Sequence, residues 1–266
     1  MFKISCIQLR SSNNIKDNLK KTTNLIVKAI KNKTDFIITP EASSIMSLNK
    51  KELLNKISNT DQDMYCIGIK KIAKKYKKWI LIGSLITKNV KKKIVNRSIL
   101  INPFGKIVTY YDKIHMYDVK LSFREQYSES KIYTAGKKIK SYNLPWGKFG
   151  FSICYDLRFP SMFRKLAKSG CLFISVPSAF THTTGKRHWH TLLKARAIEN
   201  YCFIFAPAQG GKHSNGRKTY GHSLIVSPDG KIIKEIKSNK EGFITATINP
   251  LAAKKLRQSI PSLGFE

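Results

Sequence analysis

Strand-sized apolar runs alternate along this chain with segments of helical periodicity, and no other feature restricts the fold as much. Runs of strand character fall at 2–9, 35–39, 78–86, 96–102, 106–111, 149–154, 171–176, 202–207, 222–227, 231–236 and 242–248. Their length and their β-branched and aromatic content fit buried strands. Between several of them lie helical patterns. Residues 15–31 place Ile15, Leu19, Thr23, Ile26 and Ile30 on one face at three- to four-residue spacing. Residues 61–77 and 160–169 read similarly, and 187–200 carries a stripe of Trp189, Leu192, Leu193, Ala197 and Ile198. Asn102-Pro103-Phe104-Gly105 and Ser227-Pro228-Asp229-Gly230 are turn words between strands and predict hairpin corners. Alternating β and α segments with two hairpins predict an α/β fold with mixed sheets.

The 266 residues contain no Pro/Gly/Ser-rich linker and no internal repeat, so one domain spanning 1–266 is expected. The longest apolar stretches are strand-sized, well short of a membrane span, and the N-terminus reads as a strand rather than a signal peptide. Five cysteines without paired spacing predict reduced thiols and a cytoplasmic location. No metal is expected: His188 and His190 flank Trp189, and residues two apart point to different faces of a helix. The formal net charge of +33 raises the question of a nucleic-acid or membrane partner. The lysines are spread along the whole chain among Asn and Ile, and they heavily outnumber Arg. The tightest run, Lys91-Lys92-Lys93, reads as a loop between strands. Clustered Arg interleaved with aromatics would mark a specific nucleic-acid site. The expectation is a lysine-biased enzyme surface with non-specific, salt-sensitive attraction to polyanions.

Three places carry candidate chemistry. Phe149-Gly150-Phe151-Ser152-Ile153-Cys154 reads as a buried strand whose end presents a thiol, and Tyr155-Asp156-Leu157-Arg158-Phe159-Pro160 reads as a sharp exit into a helix. A nucleophile and backbone N–H donors for an oxyanion could share that turn. Taken alone, a free Cys is more often a small core hydrophobe. Phe36-Ile37-Ile38-Thr39-Pro40-Glu41-Ala42 puts a carboxylate at a second strand end. In Tyr110-Tyr111-Asp112-Lys113-Ile114-His115-Met116-Tyr117-Asp118, Lys113 lies among aromatic and apolar residues, unlike the lysines of plain polar runs.

Taken together, Pro40-Glu41-Ala42, Tyr111 to Asp118 and Cys154 to Pro160 resemble the three signatures of the nitrilase superfamily of carbon–nitrogen hydrolases. Pro177-Ser178-Ala179-Phe180, His188-Trp189, Ala195 to Asn200, Ala206-Pro207-Ala208-Gln209 and Tyr220-Gly221-His222-Ser223 resemble its later landmarks. The resemblance covers nearly the whole chain and is nearest to the Nit branch, which includes deaminated glutathione amidase and ω-amidase. It implies a four-layer αββα sandwich, two mixed sheets with outer helices, paired as a homodimer or higher oligomer. It also implies a thiol amidase needing no cofactor. In that reading Cys154 is the nucleophile and Glu41 the general base, its pKa raised by partial burial. Lys113 and the Tyr155 backbone N–H stabilise the oxyanion, and Glu129 supports them, chosen over Glu125 by its context before Ala135-Gly136.

The implied substrate is a small amide bearing a carboxylate. Arg158, with Thr184 or Thr183, would hold that carboxylate; alternatively Arg158 forms an ion pair with Asp156 at the helix start. His188-Trp189-His190 departs from the family's more frequent His-Trp-Glu. Nitrile hydrolysis is disfavoured because true nitrilases usually follow the Cys with Trp-Glu, and here it is Tyr155-Asp156. Carbamoyl hydrolysis needs the same three groups and is the nearest rival; a non-catalytic basic nucleic-acid-binding protein is the rival of a different class.

Overall fold

A computed structural model gives the architecture and describes residues 1–123 and 125–265. The first sheet contains β1 (Phe2–Gln8), β2 (Phe36–Ile38), β3 (Trp79–Lys88), β4 (Ile94–Ile101), β5 (Ile107–Asp112) and the last strand, β16 (Gly242–Ile248). Its order is β16-β1-β2-β3-β4-β5, with β2 parallel to both neighbours and the remaining pairs antiparallel. The second contains β8 (Ser141–Leu144), β9 (Gly147–Phe151), β10 (Phe173–Ser175), β11 (Phe203–Ala206), β14 (Leu224–Val226) and β15 (Ile232–Glu235). Its order is β15-β14-β11-β10-β9-β8, and β9, β10 and β11 run parallel. Two small ribbons, β6 (Asp118–Lys120) with β7 (Gln126–Ser128) and β12 (Gly210–Lys212) with β13 (Lys218–Tyr220), lie outside the sheets.

Alternation along the strands decides the layers. Phe2, Ile4, Cys6, Phe36, Ile38, Leu81 and Leu100 of the first sheet share a core with Phe149, Phe151, Phe173 and Phe205 of the second. Edge-on contacts such as Phe36 with Phe149 (5.3 Å, 71°) and Phe2 with Phe173 (5.4 Å, 85°) join the two inner faces. The opposite face of the first sheet, with Ile7, Ile37, Ile80, Ile82, Ile99 and Ile101, is covered by α1 (Ile15–Lys31) and α3 (Met64–Tyr76). The second sheet is covered by α4 (Pro160–Lys168) and α5 (His182–Asn200), through Phe163, Leu166, Trp189, Leu193 and Ala197. This is the expected αββα arrangement with two mixed sheets. Two further helices, α2 (Lys50–Lys56) and α6 (Leu251–Ser259), complete the described elements. No helix among the described residues is long and apolar enough to cross a membrane.

Both turn words sit where expected, joining β4 to β5 and β14 to β15. Two boundaries near the site differ from the sequence reading, and some short elements were not foreseen. The strand expected over 149–154 ends at Phe151, and Cys154 opens a 3-10 turn, Cys154–Arg158. Helix α5 begins at His182, five residues earlier than its apolar stripe suggests, because Thr183, Thr184 and Gly185 are weak helix formers that read as loop. The two-turn helix α2 and the small ribbons were too short to carry a periodicity.

Candidate active site

The inner strand ends of the two sheets deliver the candidate residues to one place. After β2, Thr39-Pro40 leads to Glu41, and the next residue, Ala42, takes a left-handed backbone with φ of 51°. Beyond β5, the chain crosses into the interior at Lys113, whose backbone N–H donates to Asn96 O at 2.9 Å. Cys154 follows β9 and itself adopts φ of 47°, a strained conformation for a residue with a Cβ. That conformation is held by its N–H donating to Pro177 O at 3.0 Å.

Lys113 and the two carboxylates form a closed charge cluster. Lys113 Nζ donates to Glu41 Oε1 at 2.9 Å and to Glu129 Oε2 at 2.7 Å. The ammonium is fully buried, and Glu41 and Glu129 are nearly so. Glu41 Oε1 also accepts from Asn96 Nδ2 at 2.9 Å, and Oε2 from the backbone N–H of Ala179 at 2.8 Å. Glu129 Oε2 accepts from the Tyr117 N–H at 3.0 Å. Cys154 lies close enough to Glu41 and Lys113 that their charges act on its thiol.

The electrostatics divide the labour. Burial alone would raise Glu41, but the Lys113 and Arg217 charges and the hydrogen bonds from Lys113 and Cys154 outweigh it, so its carboxyl is held below the ordinary range. This corrects the expectation of a raised base: Glu41 is kept ionised and ready to accept a proton. Burial pushes the Cys154 thiol well above the ordinary range; the Glu41 charge adds to this, and Lys113 opposes it only in part. The sulfur therefore rests as a thiol, with the Glu41 carboxylate beside it. Burial works against the Lys113 ammonium, yet Glu129 and Glu41 raise its pKa well above the usual lysine value, so it stays charged.

A small cavity of about 10 Å³ opens onto this cluster, lined by Tyr117, Glu129, Cys154, Tyr155, Ala179, Phe180, Thr181, Thr184 and Arg217. The structure thus brings together Glu41, Lys113, Cys154, Glu129, Tyr155 and Thr184. Thr184 is buried, with its hydroxyl 2.7 Å from that of Thr181. Thr183 is exposed and donates to Glu125 at 2.9 Å beside a separate open depression, so neither belongs to the cluster. Arg158 does not pair with Asp156. Its guanidinium lies against the Phe180 ring at 5.3 Å and 3.1 Å from His188 Nδ1. Asp156 is fully engaged elsewhere, accepting from Tyr111 Oη at 2.7 Å, from the Ile153 N–H at 2.8 Å and from the His115 N–H at 3.1 Å. His115 Nδ1 lies 2.6 Å from the same carboxylate. Asp156 therefore ties the Lys113 segment to the turn that carries Cys154, which a sequence reading of Arg158's neighbours could not reveal.

Two residues of the site escaped the sequence reading. Asn96 is a buried polar residue in a strand with apolar residues at both ends, a signal that was present. Arg217 lies three residues before the Tyr220-Gly221-His222-Ser223 word, an Arg in a chain that otherwise favours Lys. Its Nη2 donates to Ala179 O at 2.6 Å, and its Nε is buried with no hydrogen-bond partner among the described residues. Burial works against this cation, and Glu41, Tyr127 and Glu129 hold it charged.

Comparison with known proteins adds an independent line. The sequence model of the carbon-nitrogen hydrolase family matches residues 3–258. The chain is 36% identical over 260 residues to the probable hydrolase nit2 of Schizosaccharomyces pombe, covering 96% of this chain and 94% of that protein. It is 34% identical over 263 residues to the deaminated glutathione amidase of Yersinia enterocolitica, covering 98% and 91%. The crystal structure of Saccharomyces cerevisiae Nit3, a member of branch 10 of the nitrilase superfamily, superposes with a TM-score of 0.87 at 28% identity, covering 98% of this chain and 94% of that one.

Proposed function

This chain belongs to the carbon–nitrogen hydrolase family, in the Nit branch of the nitrilase superfamily, and we propose that it cleaves the terminal amide of a small carboxylate-bearing substrate through a thioester on Cys154. It is an enzyme of the amidase type. Deaminated glutathione, or a similar α-keto acid amide, is the substrate class the relatives' names support. The observation that carries the mechanism is the buried cluster: a thiol beside an ionised carboxylate, which is in turn hydrogen-bonded to a buried ammonium.

The steps follow from which group holds the proton. Sulfur attacks the amide carbon as its proton passes to Glu41, so no free thiolate has to be formed in a buried site. The former carbonyl oxygen gains negative charge facing Lys113 and the Tyr155 N–H. Glu41 passes the proton to the amide nitrogen, the C–N bond breaks, and ammonia leaves a thioester on Cys154. Water then attacks the thioester carbon and gives its proton to Glu41. The C–S bond breaks, Glu41 returns the proton to sulfur, and the acid departs. Glu129 orients Lys113 throughout. In the cavity wall beside the cluster, the free Nε of Arg217 and the Thr184 hydroxyl are the donors offered to a substrate carboxylate. Arg158 stands behind Phe180 and shapes the wall.

Exposed Ile198, Leu251 and Ile260 on and beside α5 and α6 support a self-associating chain, and five free, buried cysteines support a reducing compartment such as the cytoplasm. The deciding experiment is ammonia release from α-ketoglutaramate-type amides and from uncharged analogues. It is combined with mass spectrometry of the protein during turnover. Wild type should release ammonia and carry an acyl group on Cys154, and Cys154→Ala should do neither. Release of CO₂ with the ammonia would instead indicate a carbamoyl substrate. Arg217→Gln should weaken kcat/KM for carboxylate amides about 10²-fold more than for neutral ones. An equal loss on both, with Arg158→Ala showing the selective loss, would transfer the carboxylate to Arg158.

A further inference from the structure

Far along the chain from the nucleophile, three side chains from three elements converge on the outer side of the second sheet. His190 comes from α5, His222 from the segment between β13 and β14, and Glu235 from the end of β15. His190 Nε2 lies 2.9 Å and His222 Nδ1 2.8 Å from the same oxygen, Glu235 Oε1. All three ligand-type atoms fall within 4.8 Å of one another. None is sealed off; the side chains are 31%, 23% and 12% exposed, respectively. Sequence spacing had argued against a metal because His188 and His190 diverge. The fold instead recruits partners for His190 from 32 and 45 residues farther along.

We propose that His190, His222 and Glu235 form a binding site for a divalent transition metal of the zinc class. Two imidazole nitrogens and one carboxylate oxygen are the donor set that favours Zn²⁺, Co²⁺, Ni²⁺ or Cu²⁺ over Mg²⁺ or Ca²⁺. A tetrahedral ion with bonds near 2.1 Å holds its ligand atoms about 3.4 Å apart. Each nitrogen therefore has to move from Glu235 Oε1 by roughly half an ångström, within the reach of side-chain rotation.

The ligands are already positioned. The His222 ring stacks on Tyr220 at 4.3 Å and 18°, and its backbone carbonyl accepts from Trp189 Nε1 at 2.9 Å. Trp189 is the fully buried neighbour of His190. Glu235 is paired with Leu224 in the β14–β15 ladder. An ion here would clip α5, whose first turns carry Thr184 into the catalytic cavity, to the edge of the second sheet.

Zinc binding to the purified full-length chain by calorimetry, with thermal denaturation in parallel, tests this. Wild type and Cys154→Ala should both bind one Zn²⁺ per chain. A hundredfold excess over Kd should raise the thermal midpoint by about 5 °C or more. His190→Ala and His222→Ala should each weaken binding at least about tenfold, and Co²⁺ should give visible absorption bands that both variants lose. Glu235→Gln, which keeps the shape of the side chain, supplies the same comparison if a histidine variant fails to fold. The proposal is overturned by the absence of saturable binding up to about 100 µM Zn²⁺. It is equally overturned if binding survives in His190→Ala/His222→Ala or is lost in Cys154→Ala alone.

Discussion

Lys113 shows how far a single side chain can be committed to its surroundings. It is fully buried between two carboxylates that it bridges, so removing it strands both acids. Lys113→Ala should destabilise the fold by about 3–5 kcal/mol at neutral pH and abolish turnover. Chemical denaturation and an ammonia assay check the two effects separately. Glu41→Gln keeps the shape and loses the base. Alkylation of Cys154 by iodoacetamide should slow by about tenfold or more, because the thiol proton then has no acceptor. The acid side of the stability profile follows from sign. Glu41 sits below its ordinary value of 4.5 in the folded state. Its charge therefore contributes stability above that pH and ceases to do so as pH falls through the folded value. Unfolding midpoints should drop below about pH 4.5 in wild type and less steeply in Glu41→Gln. At this scale much was legible: Glu41, Lys113, Cys154 and Glu129 were all readable from motif words. Asp156 and Arg217 were not readable in their true roles, because their partners lie on other strands and only three-dimensional closure reveals them.

Elements here are held by a few positions that tolerate no substitute. Gly83 in β3 lies against the Thr39-Pro40 segment, and a Cβ there would come within 1.8 Å of Thr39 O and 2.6 Å of Pro177 Cβ. Gly83→Ala should cost about 3 kcal/mol or more and disturb the loop that carries Glu41, so activity should fall along with the denaturation midpoint. Helix α3 offers an opposite case. Asp63 caps it, accepting from the Cys66 N–H at 2.9 Å, yet burial pushes its carboxyl up to about 6. Stability from the protonated form is full below the ordinary value of 3.8 and is lost as pH rises through about 6. Asp63→Asn retains an acceptor for the cap and removes the buried charge. It should stabilise the protein by about 1–3 kcal/mol at pH 7.5 and leave it unchanged at pH 4, as urea titration at the two pH values will show. Element types were legible wherever periodicity ran long, as in α1. The exact exit of β9 was not, since the left-handed turn at Cys154 leaves no mark in a run of apolar letters.

For the molecule as a whole, the charge of +33 remains separate from the catalytic argument. Scattered lysines predict attraction to polyanions that is set by charge alone. Retention on heparin should fall steeply and uniformly with salt, and RNA of any sequence should compete equally. A sequence-selective, salt-resistant complex would contradict that reading. The sandwich was legible as an alternation of segments, but the seam between its layers was not. Glu41 comes from the first sheet, yet one of its carboxylate oxygens accepts from Ala179 on the loop after β10, and its carbonyl accepts from Gln209 Nε2 just after β11. Glu41 is thereby a rivet through both halves of the body. Sliding the layers past each other by even an ångström would unseat it. Heat, pressure or mild denaturant should therefore silence the enzyme reversibly while its spectroscopic signature is still that of an intact fold.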